Sequence, residues 1–246
     1  ALANTDMYAP YKVATWDDIP ADLKDANGAW VNDYGGYMSI GYDSAKVPAP
    51  TAVADLLKAD YKGKVALNGN PTEAGAAFAG VQMVSIAQGG TAADLTKGVE
   101  FFEQLTDAGN FLPVDPTPAT VESGQTPIVL DWDYLKAGLA AKPPTSKVMV
   151  PKEAVVAGFY YQAINADAPN PAAARLWQEY LYSDEGQNFW LKGGARPVRF
   201  EAMKTAGTLD EAAAAALPPV EGTAVVPTQA DAEAGKTYLA ENWANA

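Results

Sequence analysis

Hydrophobic and polar positions along this chain follow two periods, and the switches between them lay out short strands and longer helices. A run over 37–42 reads as a strand ending at Asp43-Ser44, and Lys64-Val65-Ala66-Leu67 reads as another. Thr51 is placed to cap a short helix over 52–57. Ala74, Ala77, Phe78, Val81 and Val84 recur at helical spacing and predict a helix over 74–88 that stops at Gly89-Gly90. Leu95, Val99, Phe102 and Leu105 predict the next over 92–107, with Thr91 as its cap, Asp94 in the capping-box position and Gly109 as its stop. Thr117-Pro118 opens a short helix or turn ending at Ser123-Gly124. Pro127-Ile128-Val129-Leu130 reads as a buried strand, 142–146 as a loop, 147–151 as a short strand and 155–165 as an aromatic strand. Asn170-Pro171 starts a helix in which Ala173, Leu176, Trp177, Tyr180 and Leu181 form one apolar stripe, expected to be buried. Ser183 caps a helix over 184–192, Thr208 caps an Ala-rich helix ending at Pro218-Pro219, and a last helix covers 228–243. Strands alternating with helices predict an α/β fold.

The strand at 127–130 ends abruptly in Asp131-Trp132-Asp133-Tyr134. Burying a carboxylate is costly unless a positive group or a hydrogen-bond donor meets it. In open α/β sheets, ligands sit in the crevice outside the carboxyl ends of the strands. If the strand runs on, Asp131 and Asp133 share one face and Trp132 and Tyr134 the other; if it turns, all four line a crevice. Two carboxylates beside aromatic faces suit an ammonium ion. They also fit a glycosidase acid pair, although such pairs come more often from separate elements.

Composition removes most competing chemistries. The 246 residues include no Cys and no His, which excludes disulfides, thiol catalysis, imidazole catalysis and imidazole metal sites. Acids outnumber bases 30 to 17, for a net charge of −13, so the surface repels nucleic acid and anionic membranes and mildly favours cationic partners. The 48% hydrophobic content suits one large or two modest domains, and no apolar run of about 18 residues marks a membrane span. The opening Ala1-Leu2-Ala3-Asn4-Thr5-Asp6 lacks the basic and apolar regions of a signal peptide, so any leader is taken as already removed.

Other polar and aromatic groups remain open to two readings. Residues 68–76 place polar side chains and a glycine before a helix, where free N–H groups bind anions, yet Thr72 or Glu73 there also serve as simple caps. Tyr160 and Tyr161 offer phenols or fill a strand core. Tyr34 and Tyr37 bracket Gly35-Gly36, which lets a ligand approach the backbone. Arg196 and Arg199 are placed to clamp an anion, or to pair with an acid in a chain so short of bases.

In order, Tyr160-Tyr161-Gln162-Ala163-Ile164, Asn170-Pro171-Ala172-Ala173-Ala174, Ser183-Asp184-Glu185-Gly186-Gln187 and Gly194-Ala195-Arg196-Pro197 resemble a segment of bacterial extracellular solute-binding proteins. Upstream, Tyr42-Asp43, residues 61–66, Pro71-Thr72 and 124–127 fall in matching order, so the resemblance covers nearly the whole chain. It is nearest the branch of ferric-, thiamine-, polyamine- and aminoethylphosphonate-binding proteins of ABC importers. The resemblance implies a two-lobe, periplasmic binding protein type II-like α/β fold that closes on its ligand about hinge strands. It implies that 1–41 are a remnant of the first lobe and hinge, 42–155 the second lobe, 156–204 a return to the first, and 205–246 helices packing on the second. The first lobe would then lack roughly 100 residues, most of one lobe. Where ferric-binding relatives carry a Tyr-Tyr pair, this chain has Asp133-Tyr134, which turns the expectation from iron toward an amine-bearing solute; Glu73 in the oxyanion loop disfavours an anion. The implied protein is a non-enzymatic monomer without cofactor or metal, exported to the periplasm or the outer face of the membrane. It would bind a small polar solute through Asp131, Trp132, Asp133, Tyr134, Thr72, Glu73, Tyr34, Tyr37, Tyr160, Tyr161 and Arg196, and deliver it to an ABC permease. The alternatives are a ferric ion, an oxyanion or phosphonate as ligand, or a carboxylate-dependent glycoside hydrolase.

Overall fold

The structure is a computed structural model that describes residues 5–135 and 145–245. The first four residues and the 142–144 part of the expected loop lie outside the described residues. In chain order the strands are β1 (Tyr8–Ala9), β2 (Val31–Asp43), β3 (Val65–Leu67), β4 (Ile128–Trp132), β5 (Ser146–Met149), β6 (Ala157–Gln162), β7 (Ile164–Asn165) and β8 (Arg196–Pro197). The described α-helices of six or more residues, with one shorter turn, are α1 (Gly75–Ala87), α2 (Thr96–Asp107), α3 (Pro118–Ser123), α4 (Pro171–Leu181), α5 (Asp184–Lys192), α6 (Phe200–Ala206), α7 (Glu211–Ala215) and α8 (Gln229–Asn242). The chain divides into two compact units: residues 1–36 with 159–217, and residues 37–158 with 218–246.

In the second unit the sheet order is β3-β4-β2-β5. β3 pairs parallel with β4, while β2 pairs antiparallel with both β4 and β5. Helix α1 is apolar nearly all round and is buried from Ala77 to Ser85, as expected of a helix with a layer on each side. Its sheet side is set by Gly80, where a Cβ would fall 2.6 Å from the Leu67 side chain. Its outer side is set by Gly98 of α2, where a Cβ would fall 2.8 Å from the Val81 carbonyl oxygen. Sheet, α1 and α2 thus stack as layers around Met38, Ile40, Leu56, Met83, Phe102 and Leu130, each fully buried. Each such side chain contributes roughly 1.5–3 kcal/mol of burial free energy. Gln82 and Ser85, polar but buried on α1, donate to the carbonyls of Ala92 and Asp94 and fasten the turn ahead of α2. That turn corrects one expectation: α2 begins at Thr96, not 92, because the Thr91 hydroxyl accepts from Asp94 N–H and closes a separate turn. The 218–228 stretch returns to this unit by bonds between Val225 and both Val155 and Ala157.

The first unit is smaller. β1 pairs with β7, and the opening of β2 pairs with β8 through Tyr34↔Pro197 and Gly35↔Arg196. Its main core gathers Val13, Trp16, Ile19, Val31, Leu181, Tyr182 and Val198; a second cluster joins Leu191, Met203 and Leu209. Arg199 is buried and paired: its guanidinium reaches Asp18 at 2.7 Å, Asp184 at 2.8 Å and the Tyr182 carbonyl at 2.7 Å. The cap of α7 is Asp210 rather than Thr208, and the helix is a single turn and a half. The α4 stripe also departs from expectation. Leu181 is buried, but Leu176 is 72% and Trp177 58% exposed, and the helix turns Gln178 inward instead. Glu179 explains the rotation, since its carboxylate takes the Tyr11 hydroxyl at 2.6 Å and the Ala14 N–H at 3.1 Å.

The close crossing of α1 and α2 yields a direct test. Gly98→Ala must push against a backbone carbonyl that no rotamer change relieves, so it is expected to cost ~1–3 kcal/mol of unfolding free energy, read by urea denaturation.

Candidate functional site

The carboxyl ends of the parallel pair β3 and β4 lie side by side, because Leu67 pairs with Leu130. β3 runs out into Asn68-Gly69-Asn70, and β4 into Asp131 and Trp132 before the chain turns helical at Asp133. Between these ends lies a crevice of about 260 Å³. Its described walls are Asn68, the 116–118 turn, Val121, Asp131 and Leu135. Asp131 is only 2% exposed, so its carboxylate sits at depth rather than at the rim. Ser39 donates to the Asp131 carbonyl at 2.8 Å, and the Trp132 N–H lies 2.8 Å from the Asp131 Oδ1. A carboxylate at that depth favours an entering cation or hydrogen-bond donor.

The second acid has a different task. Asp133 is fully buried, and its Oδ1 accepts the Tyr37 N–H at 3.0 Å and the Tyr134 N–H at 2.9 Å. The β2–β4 ladder ends at Met38↔Trp132, so this oxygen serves Tyr37 one step beyond the last backbone pair. Of the two acids expected to form one wall, Asp131 is among the described walls of the crevice and Asp133 is not. Trp132 lies against Gly158, where a Cβ would come 2.4 Å from its ring, and it stacks with Tyr134 at 6.3 Å. Tyr134 is buried and belongs to this packing.

Nor do Thr72 and Glu73 reach the described walls of the crevice; both are exposed. Asn70 organises their turn. Its side-chain oxygen takes the Thr72 N–H at 3.0 Å and the Thr72 hydroxyl at 2.9 Å, and its carbonyl takes the N–H groups of Glu73 and Ala74. Of the N–H groups at this helix start expected to hold an oxyanion, those of Thr72, Glu73 and Ala74 are thus committed to Asn70. Neither residue caps α1, whose N-cap is Ala74 without a side-chain bond.

In the first unit, Tyr34 stacks between Trp190 at 4.1 Å and Tyr160 at 5.1 Å, and Tyr161 meets Trp30 edge-on at 5.3 Å. Tyr160 ends the stack half-exposed, and Arg196 lies across the ladder from Gly35. Beneath lies a residue that pattern reading passed over. Asp33 is fully buried; it accepts Gln162 at 3.0 Å and Gln187 at 3.2 Å, while Trp190 turns its indole N–H toward it in poor geometry. Desolvation pushes the Asp33 carboxyl up to about 6, against the pull of those neutral donors. The sequence signal available was a single acid within 31–34, which periodicity alone does not separate from a solvated strand edge.

Two outcomes follow from these acids. Asp133→Ala strips an acceptor from two backbone donors and is expected to lose ~1–3 kcal/mol of stability, whereas Asp133→Asn, which keeps an oxygen, loses less; chemical denaturation compares them. Asp33 binds its proton more tightly folded than unfolded, so its contribution is full below the unfolded value of 3.8 and is lost as pH rises toward 6. Between pH 4 and 7 the stability of Asp33→Asn relative to wild type is therefore expected to rise by roughly 2 kcal/mol, most of what a shift from 3.8 to about 6 is worth, in paired urea titrations.

The family described as bacterial extracellular solute-binding protein matches residues 1–235. No curated protein sequence matches the chain. Among solved structures, the chain is similar to the spermidine/putrescine ABC transporter substrate-binding protein PotD of Streptococcus pneumoniae strain Canada MDR_19A, at a TM-score of 0.70 and 15% identity over 100% of this chain and 80% of that one. It is similar to the apo ferric ion-binding protein A of Pasteurella haemolytica at 0.69 and 16%, over 100% of this chain and 79% of that one. It is also similar to the periplasmic binding protein P5PA, at 0.63 and 19% over 80% of this chain, and spans 65% of that protein's length. These likenesses establish a periplasmic binding protein type II-like α/β fold. The chain belongs to the family of bacterial extracellular solute-binding proteins.

Proposed function

We propose that this protein is the solute-receiving component of an ABC importer and that it binds a small, polar, amine-bearing solute. The observation that carries the reading is the deep carboxylate of Asp131, in a crevice at the carboxyl ends of two parallel strands. That is where open α/β sheets receive ligands, and a net charge of −13 attracts cations toward it. The half-exposed ring stack of the first unit offers a second surface suited to the same class of ligand. The protein acts outside the cytoplasmic membrane, in the periplasm or tethered to the outer face, as a monomer that hands its solute to a membrane permease. Among the described residues no helix is long and apolar enough to cross a membrane.

The alternatives draw less support. A ferric site at Asp133-Tyr134 would draw on a fully buried carboxylate whose Oδ1 already accepts two backbone N–H groups. An oxyanion at Thr72 would compete with Asn70 for the same donors. A hydrolase would need two carboxylates in one crevice, and Asp131 is the one carboxylate among the described walls of this one. We therefore read the protein as a receptor rather than an enzyme.

Thermal unfolding with added amines, 2-aminoethylphosphonate, ferric citrate and phosphate tests this. Amine-bearing compounds are expected to raise Tm, by an amount equivalent to ~2.7 kcal/mol at a hundredfold excess over Kd, and Asp131→Asn to abolish the rise. Stabilisation by ferric citrate or phosphate alone would contradict the amine reading.

A further inference from the structure

We propose that Asp33, Gln162 and Trp190 form a proton-operated switch inside the first unit: when Asp33 takes up a proton, the side-chain amide of Gln162 turns over and the Trp190 indole loses its pull toward the carboxylate. The parts come from three elements: Asp33 lies on β2, Gln162 on β6, and Gln187 and Trp190 on α5. Asp33 is fully buried. Gln162 donates to its Oδ2 at 3.0 Å and Gln187 to its Oδ1 at 3.2 Å. The two amides differ in freedom. Gln187 is locked, because its Nε2 also donates to the Leu181 carbonyl at 2.9 Å and its Oε1 accepts the Arg199 N–H at 3.2 Å. Turned over, it would set oxygen against oxygen and NH2 against N–H. Gln162 is half-buried, and among the described residues its amide makes no bond besides the one to Asp33.

An ionised Asp33 is an acceptor only, and the donors around it suit that state. A protonated Asp33 must donate once. Gln162 accepts that hydrogen by presenting Oε1 to Oδ2, and no other bond breaks, so the proton belongs on Oδ2. The Trp190 indole N–H is buried without a bond of good geometry; a negative carboxylate draws it in, and a neutral carboxyl does so less. Trp190 also stacks on Tyr34 at 4.1 Å, so the ring stack is held more firmly when Asp33 is ionised.

No charged neighbour overrides the switch. Tyr34 and Tyr182 are the titratable groups beside Asp33, and burial holds both phenols above their usual range, hence neutral. Val198 donates to the Asp33 carbonyl, but the guanidinium of the next residue, Arg199, is spent on Asp18, Asp184 and the Tyr182 carbonyl. Arg196 on β8 stands opposite Gly35. On α5, Asp184 goes to Arg199, Lys192 reaches toward Asp210 at 3.7 Å, and Glu185 is exposed. On β6, Tyr160 stacks on Tyr34 and Tyr161 meets Trp30. A basic partner would hold Asp33 ionised throughout; neutral donors leave it near balance, and burial lifts its carboxyl to about 6.

Nuclear magnetic resonance of the whole chain from about pH 4 to 8 tests this. The Gln162 side-chain amide and the Trp190 indole N–H are expected to titrate with one midpoint near pH 6, shared by the Asp33 carboxyl carbon. Measured against free glutamine, the Gln162 amide hydrogens are expected to exchange with solvent about tenfold more slowly above the midpoint than below it, the loss of one hydrogen bond to a charged group. Those of Gln187 stay protected on both sides. Asp33→Asn is expected to abolish the titration of Gln162 and Trp190. Separate midpoints for Asp33 and Gln162, Gln187 losing protection together with Gln162, or a response that survives Asp33→Asn would each overturn the switch. The wild-type midpoints decide even where the variant does not fold.

Discussion

The bond from the Tyr37 N–H to the carboxylate of Asp133 fixes how the acidic end of β4 is used. The β2–β4 ladder stops at Met38↔Trp132, and the next backbone donor would be left without a partner inside the protein. Asp133 supplies it with a side-chain oxygen and gives the same atom to Tyr134, where the chain turns helical. Both acids are buried, and Asp131 is the one among the described walls of the crevice. The place of Asp133 thus follows from a backbone hydrogen-bond requirement.

Buried carboxylates in this chain meet different fates because their neighbours differ. Asp133 is held by backbone N–H groups. Asp33, in the first unit, is held by the side-chain amides of Gln162 and Gln187, and burial raises its pKa against the pull of these neutral donors. Asp43 is lowered, since the donors from Thr145, Ala45 and Lys46 together outweigh its desolvation, the largest single effect. Depth alone does not decide which acid holds a proton or a ligand; the donors aimed at it do.

Much of this was legible in the sequence where a local rule decides the outcome. The caps at Thr117 and Ser183, the glycine that ends α3, and the strand that runs into Asp131 all rest on short-range geometry, and the structure has them. What was not legible depends on partners distant in sequence. The stripe of α4 has a clear period, but period says only that a face exists, and Glu179's bonds to Tyr11 and Ala14 turn that face outward. Thr91 and Thr208 have cap-like contexts, yet Asp94 N–H and Asp210 decide where the turns close. Asn68 and Leu135 join Asp131 only through the pairing of β3 with β4, which no single segment encodes. The family resemblance rested on ordered motifs over most of the chain, and the match over 1–235 agrees with it.

The central claim is the division of labour between Asp131 and Asp133. A crystal structure with a bound amine addresses it most directly. The account predicts the ammonium nitrogen ~2.7–2.9 Å from an Asp131 side-chain oxygen, with Asp133 still accepting from Tyr37 and Tyr134. An ammonium on Asp133 with the Tyr37 bond broken, or a solute seated away from the Asp131 crevice, would contradict it.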